Sequence, residues 1–219
     1  MNNSLRLAVA AALALPALAC AEGFNVSARA STLGLGAEAG YAFNDYVNVR
    51  LALNSYTRDY DSTEDDISYN FDLDLKSTAL LLDVHPFAGV FRVTAGVLDN
   101  RNELSGQAAP AGTYEIDGVD YTQAEVGSLL SSVKLGDSTP FYLGLGWSKA
   151  LENSGWGIGF DAGVVLMGKP DLTLTSVGGT ATNDPTFQAR LAAEEQAAQD
   201  DLDDFETYPV IALGVTYQF

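Results

Sequence analysis

The sequence contains very few of the residues that carry chemistry in enzymes and metal sites. Cys20 is its only cysteine and His85 is its only histidine. A disulfide within the chain is therefore excluded, and so is a metal site built from cysteine and histidine ligands. The sequence also has no nucleophile elbow. It predicts a non-enzymatic protein without catalytic residues, cofactor or metal.

Basic residues and long apolar runs are scarce as well. The chain has 11 lysines and arginines against 29 acidic residues, a formal net charge of −18. Such a surface repels phosphates, which excludes nucleic acid as a partner. The longest apolar and uncharged run is 7–18. It is shorter than the roughly 18 residues of a membrane-spanning helix, and no other stretch approaches that length.

The N-terminal segment has the pattern of an export signal. Arg6 precedes the apolar run, and the small residues Ala19, Cys20 and Ala21 follow it. This order predicts a signal peptide over residues 1–21 and one mature domain over residues 22–219. Cys20 either leaves with the signal or carries a lipid, although Ala17 stands where lipid attachment prefers leucine.

Most of the remaining chain alternates between apolar and small or polar residues. The final strand shows this best, with apolar side chains at every second position: Ile211, Leu213, Val215, Tyr217 and Phe219. A period of two predicts β-strands, and segment 208–219 is long enough to cross a bilayer at a tilt. A soluble sandwich also alternates, but glycines on the polar face and a terminal aromatic favour a narrow barrel.

The connections define the predicted fold class: all-β, a single antiparallel transmembrane β-barrel of eight to ten strands. Short connections fall at 44–46, 86–89, 136–140 and 168–170, and long ones at 59–66, 102–127 and 178–206. Short periplasmic turns and long extracellular loops are typical of outer-membrane barrels. Strands 208–219 and 156–166 are both predicted to run toward the periplasm. The count is ten if 25–31, 33–43 and 172–177 each cross, and eight if 25–43 is one strand and 172–177 lies in a loop.

A change of phase is visible within one predicted strand. Apolar residues occupy odd positions at Leu73 and Leu75 but even positions from Leu80 to Val84. The change predicts a β-bulge near residues 77–79, which would turn Asp83 and His85 toward the lumen.

Residues 184–206 predict an amphipathic helix in the loop before the last strand. Asp184 can cap it and Pro185 suits its first position. One face carries Phe187, Leu191, Ala198, Leu202 and Phe205. Acidic residues crowd its C-terminal end, where the helix dipole disfavours negative charge, so divalent cations, a basic partner or solvent must offset them. Loop 59–66 has five carboxylates but lacks EF-hand spacing, so it is either a solvated loop or a weak calcium site.

Several charged residues fall on the inward faces of the predicted strands. The predicted lumen charge network comprises Glu38, Arg50, Asp83, Arg92, Lys134 and Asp161. The assumed turns place Gly40 opposite Arg50, and Asp83 opposite Arg92. Charges in a narrow lumen must be paired or hydrated, so this network is a salt-bridged plug, a gated path for cationic solutes, or a proton or metal site.

The export signal, strands joined by Tyr41-Ala-Phe-Asn-Asp-Tyr46 and the ending Val215-x-Tyr217-x-Phe219 resemble the small outer-membrane β-barrel proteins of Gram-negative bacteria. The OmpA transmembrane domain, OmpX and OmpW belong to this group. The resemblance implies location in the outer membrane and insertion by the barrel-assembly machinery, with Val215, Tyr217 and Phe219 as the assembly signal. It also implies contact with outer-membrane lipid and lipopolysaccharide, to which divalent cations would bridge the acidic loops.

The barrel architecture does not imply one activity, because it serves pores, adhesins, enzymes and structural proteins. Two functions fit the sequence. The first is a non-enzymatic outer-membrane protein with a mostly plugged lumen and a role in envelope structure or surface interaction. The alternative is a narrow porin-like channel for small cationic solutes.

Overall fold

The computed structural model describes residues 23–64, 67–110, 112–151 and 155–219. The predicted signal peptide and Cys20 lie outside this range, as do Asp65 and Asp66 of the acidic loop. The described segments form thirteen β-strands and two α-helices. They are β1 (Phe24–Ser31), β2 (Gly34–Asn44), β3 (Val47–Glu64), β4 (Ile67–Val84), β5 (Phe91–Asn100), β6 (Glu103–Pro110), β7 (Thr113–Ile116), β8 (Val119–Thr122), α1 (Gln123–Val126), β9 (Gly127–Lys134), β10 (Phe141–Ala150), β11 (Trp156–Leu166), β12 (Asp171–Gly178), α2 (Pro185–Leu202) and β13 (Thr207–Gln218).

Eight strands close into an antiparallel barrel in the order β1, β2, β3, β4, β5, β10, β11 and β13. The first and last strands complete it, with register from Asn25 opposite Gln218 to Ser31 opposite Ala212. The predicted fold class, an all-β barrel with a helix before its last strand, is confirmed. The two ends of the barrel differ in the length of their connections. The β2–β3 and β4–β5 turns lie with Phe24 and Phe219 at one end, which we call the short-turn end, and the long excursions leave from the other.

The strand count of eight lies within the predicted range, but the strands match neither predicted arrangement in full. Segments 25–31 and 33–43 are separate strands, as in the ten-strand alternative, and residues 172–177 lie outside the barrel, as in the eight-strand alternative, because β9 and β12 belong to another part of the sheet. The direction predicted for 156–166 was wrong, because β11 is antiparallel to β13. Connections 136–140 and 168–170 therefore lie at the long-loop end, as parts of larger excursions.

The outer wall of the barrel carries a belt of exposed aliphatic side chains. It includes Leu35, Leu51, Leu53, Leu80, Leu82, Leu143, Leu145, Ile158, Ile211, Leu213 and Val215. At the short-turn end the belt is edged by aromatic pairs, among them Trp156 with Tyr217 and Tyr217 with Phe219, both with ring centroids 5.0 Å apart. A water-soluble monomer does not expose an apolar surface of this extent. No helix in the described part of the chain has the length and apolar character needed to cross a membrane.

Strand β4 explains the change of phase without the predicted bulge. Its register with β3 is continuous from Val84 opposite Val47 to Ile67 opposite Glu64, so the prediction of a bulge at 77–79 was wrong. Odd residues from Leu75 to Asp83 point inward and are buried. Beyond the belt the outward face is polar, so the apolar residues move to the inward face. Asp83 thus reaches the lumen on a regular strand. His85 begins the turn, its Nδ1 2.9 Å from the Gly89 carbonyl oxygen, and it lines the polar space at the short-turn end of the lumen.

Beyond the long-loop end, β3 and β4 continue into a second structure. The outer part of β4 pairs with β6, β6 with β9, and β9 with β12. We call the sheet β3-β4-β6-β9-β12 the extension sheet. The hairpin β7–β8 and both helices cover one of its faces around a hydrophobic cluster, here called the outer cluster: Tyr114, Ile116, Val126, Phe187 and Leu191.

Helix α2 begins as predicted and covers the edge of the extension sheet. The Asp184 carboxylate accepts hydrogen bonds from the backbone N–H groups of Thr186 and Phe187, at 2.8 and 3.0 Å. Glu195 and Gln199 accept the N–H groups of Leu174 and Leu172 at 2.7 and 2.9 Å. These bonds satisfy donors on the outer edge of β12, which would otherwise be open to pairing with another chain.

The C-terminal part of α2 differs from the prediction. The helix ends at Leu202, so Phe205 does not share its face and is 61% exposed. Lys169 donates a hydrogen bond of 2.6 Å to Asp203. This bond, together with one from Gln199, lowers the pKa of the Asp203 carboxyl. A lysine from the preceding loop thus offsets part of the negative charge at this helix end.

Candidate functional site: a charged layer across the lumen

Six charged side chains meet inside the barrel at one level. They are Arg29, Glu38, Arg50, Asp83, Arg92 and Asp161, here called the charge ring. Each comes from an inward position on a different strand, because alternation sends every second residue into the lumen. All six are buried, and Asp83 is 0% exposed. Glycine provides the space: a Cβ at Gly146 would lie 2.5 Å from Asp161 Oδ1 and 2.6 Å from Arg92 Nε.

Arg50 is the centre of the ring. Its Nε and Nη2 donate to the two carboxylate oxygens of Asp83 at 2.6 and 2.9 Å. Its Nη1 donates to Glu38 at 3.0 Å. Planar guanidinium and carboxylate groups match in this two-bond geometry, which is the strongest form of such a pair.

The other contacts close the ring. Arg29 pairs with Glu38 at 2.7 Å and also with Asp161. Arg92 donates to Asp161 at 2.6 Å and lies 3.8 Å from Asp83. Positive and negative groups therefore alternate around the lumen, and the three arginines balance the three carboxylates.

Neutral side chains complete the hydrogen bonding of the most buried carboxylate. The Thr94 hydroxyl donates to Asp83 at 2.6 Å and the Asn48 amide donates at 3.0 Å. Asp83 thus has donors from three residues in addition to its longer contact with Arg92. A buried charge with this many partners is held in one position, because its desolvation cost is offset only while those partners stay in place.

The structure brings five of the six predicted lumen residues together, and the exception is Lys134. Lys134 lies on β9, exposed on the extension sheet opposite Glu103 and Asp171. The prediction that it faces the lumen was wrong, because β9 alternates like a barrel strand but pairs outside the barrel. Gly40 does stand opposite Arg50.

Two further differences concern the partners within the ring. Asp83 stands opposite Thr94 rather than Arg92, because the β4–β5 connection is two residues longer than assumed. Arg29 was missing from the predicted set. The alternation of β1 does place Arg29 on the inward face together with Ser27. That strand is too short for the alternation to be recognised in the sequence.

The lumen is divided into three zones along its length. On the long-loop side of the charge ring lies an apolar layer that includes Leu33, Leu81, Leu98, Tyr142 and Val210. A cavity of only about 40 Å³ separates ring and layer. On the short-turn side a polar vestibule of about 680 Å³ reaches the three arginines of the ring.

This arrangement is suited to closure of the lumen. Among the residues that the structure describes, no group of three or more histidine, cysteine, aspartate or glutamate side chains can hold a metal ion. His85 lines the vestibule, and its Nδ1 makes a hydrogen bond within its own turn. A neutral, mutually paired layer beside an apolar layer opposes the passage of hydrated ions, which would have to shed water without finding a free counter-charge.

Comparison with known proteins points to the same architecture. No protein-family model matches the sequence, and no curated protein matches it either. The fold is similar to the crystal structure of Acinetobacter baumannii CarO2, with a TM-score of 0.61 and 20% identity over 90% of this chain and 99% of that one. The structure of Acinetobacter baumannii CarO is similar too, with a TM-score of 0.59 and 20% identity over 89% and 97%.

At this level of identity the likeness concerns the fold. It extends over nearly the whole length of both neighbours. The barrel architecture that the sequence predicted is thereby supported. The narrower resemblance to OmpA, OmpX or OmpW stays a prediction.

Proposed function

We propose that this chain is a non-enzymatic outer-membrane β-barrel protein, closed in the middle, that holds an ordered domain at the cell surface. Its role is then in envelope structure or surface interaction. Support for the membrane comes from the exposed aliphatic belt with aromatic residues at its edge, which is the outer surface that lipid requires. Support for the surface role comes from the extension sheet, which has its own hydrophobic cluster.

The charge ring is the observation that carries the closed-lumen part of this proposal. It spans the lumen through successive ion pairs, from Arg50 to Glu38, Arg29, Asp161 and Arg92. Opening a path would separate charges that are almost completely buried, and each unpaired charge costs several kcal/mol. The apolar layer next to it adds a second barrier.

The alternative is a narrow channel for small cationic solutes. The vestibule favours it, because this space of about 680 Å³ already extends from the short-turn end to the ring. A channel of this kind would need a second state in which the ring opens and the apolar layer moves aside.

Conductance in planar bilayers separates the two functions. We expect no steady single-channel steps from the wild-type protein, and none from variants in which Glu38, Arg50, Asp83 or Arg92 is neutralised in turn. Regular cation-selective steps in the wild type, reduced by Glu38→Gln, would favour the channel. A general porin inserted in the same bilayers shows that an open barrel is detectable.

The terminal aromatic gives a prediction about assembly. The ring centroid of Phe219 lies 5.0 Å from that of Tyr217 and 6.0 Å from that of Phe24. The backbone N–H of Phe219 donates to the Phe24 carbonyl oxygen at 3.1 Å. We expect deletion of Phe219 to reduce heat-modifiable, membrane-inserted protein in cells several-fold, while purified protein still refolds in detergent. These contacts are few, so most of the loss would come from the assembly signal.

Phe43→Ala is the matched control, since Phe43 is an exposed aromatic at the same end of the barrel. It removes an interface side chain and keeps the C-terminus intact. Equal amounts of inserted protein from the deletion and the wild type would contradict the assembly role.

A further inference from the structure

The extension sheet has a polar groove on the face opposite the outer cluster. Cross-strand register places Asp59, Asp72, Ser105, Ser132 and Thr173 in one row across its five strands. The next row contains Gln107 and Thr175. Together these rows line a groove of about 630 Å³.

The groove continues the outer wall of the barrel. Even-numbered residues of β4 face outward, from Leu82 and Leu80 in the belt to Asp72 in the groove, without a break in register. The belt extends to Leu35, which by register is level with Lys76 of β4. Lys76 and Asp72 are separated by four residues, or about 13 Å of extended strand. After the tilt of a barrel strand, Asp72 lies roughly 10 Å above the belt.

This height selects the kind of lipid that can reach the groove. The headgroup region of a phospholipid layer adds only about 5–8 Å on each side of the hydrocarbon. An ordinary phospholipid headgroup therefore stops short of Asp72. A glycolipid with several sugar residues extends far enough.

The lining selects the chemistry of the ligand. It contains no lysine or arginine and a single aliphatic side chain, Leu130. The lysine in the adjacent row, Lys134, stands between two acidic residues, Glu103 and Asp171. The lining therefore lacks the cations that hold a phosphate and the apolar area that holds an acyl chain. Hydroxyl, amide and carboxylate groups remain, on strands about 4.8 Å apart. They offer the mixture of hydrogen-bond donors and acceptors that complements sugar hydroxyls.

We infer that this groove binds uncharged sugar residues in the headgroup of an outer-leaflet glycolipid. The inference rests on the proposed function, since it requires the barrel to sit in the outer membrane with the extension sheet outside. The inference names the class of ligand in the proposed surface interaction and the part of the molecule that binds it.

The test measures binding of a dephosphorylated core oligosaccharide, released from rough-type lipopolysaccharide, to the purified folded protein in detergent. Thr173→Val with Thr175→Val removes two hydroxyls from the groove and keeps the shape and strand preference of β12. Two lost hydrogen bonds are expected to weaken binding about tenfold. Thr113→Val is the control, because Thr113 is exposed on the hairpin away from the groove.

A second arm identifies the source of the ligand. In nanodiscs, we expect retention of intact rough-type lipopolysaccharide to depend on Thr173 and Thr175, and retention of lipid A alone to be unaffected by them. Equal oligosaccharide binding by the double variant and the wild type would overturn the inference. So would displacement of the oligosaccharide by spermine with steep salt dependence, which would identify a cation site on Asp59 and Asp72.

The oligosaccharide arm needs no membrane and no orientation. If the oligosaccharide does not bind in this arm, only the proposed role of the groove is contradicted. Protease cleavage of the extension only after the outer membrane is permeabilised would count against the proposed location, whatever the groove binds.

Discussion

Replacement of Arg50 by alanine is expected to lower the free energy of unfolding by about 3–5 kcal/mol. Arg50 makes the bidentate pair with Asp83 and also holds Glu38. Its removal leaves Asp83 with the neutral donors Thr94 and Asn48 and with the more distant guanidinium of Arg92 at 3.8 Å. Because Asp83 is fully buried, water entering from the vestibule replaces the two-bond guanidinium partner only in part. Chemical unfolding in detergent micelles measures the effect.

Two further variants provide reference values for the loss of stability in Arg50→Ala. Arg101→Ala breaks an exposed pair with Asp99 and should cost well under about 1 kcal/mol. Arg92→Ala should fall between the two, since Asp161 keeps Arg29 as a partner. An unchanged unfolding midpoint for Arg50→Ala would mean that water fills this part of the lumen, and it would favour the channel.

Charge balance provides an independent check of the same ring. The double replacement Arg50→Met with Asp83→Asn removes one positive and one negative group together. It should therefore destabilise the barrel less than the sum of the two single replacements, because neither leaves the other unpaired. Simple additivity would show that Arg50 and Asp83 do not interact in the folded barrel.

Much of the barrel follows from the period of two in the sequence. Alternation assigns one face of each strand to lipid and the other to the lumen, so inward charges such as Glu38 and Asp161 can be recognised from the residue pattern alone. Short turns with a clear register, as at Gly40 opposite Arg50, also predict a cross-strand neighbour. What alternation cannot show is which strands are paired.

The wrong placement of Lys134 and the two alternatives left open for residues 172–177 share this cause. A strand of the extension sheet has one polar and one apolar face, as a barrel strand has, because one side packs on the outer cluster and the other meets water. The period of two is therefore the same in strands inside and outside the barrel. What distinguishes the strands of segment 101–140 is their pairing, since they pair with the outer part of β4 and with one another.

Local signals were reliable at one end of helix α2 and not at the other. The cap at Asp184 depends on residues adjacent in the sequence, and such a bond can be read directly from the residue types. Whether Phe205 lies on the apolar face of the helix depends on where the helix ends. Its end near Lys169 and Asp203 is set by a contact between distant parts of the chain.

Replacement of Phe187 by alanine is expected to unfold the outer cluster while the barrel persists. Phe187 is 1% exposed and stacks edge-on against Tyr121 with ring centroids 5.0 Å apart. Loss of a buried phenylalanine costs about 3–5 kcal/mol. The outer cluster is small, so this cost exceeds what helix α2 can lose and still stay docked on β12. The barrel has a separate interior, the apolar layer and the charge ring.

Limited proteolysis and heat modifiability together separate these two parts. In Phe187→Ala we expect rapid cleavage between residues 180 and 206 and an unchanged shift of the barrel band on unheated gels. Phe205→Ala is the control, because it removes the same side chain from an exposed position and should leave cleavage at the wild-type rate. If Phe187→Ala also abolished the folded barrel band, the extension and the barrel would fold as one cooperative unit. The surface domain could then not be treated as an attachment to a self-sufficient barrel.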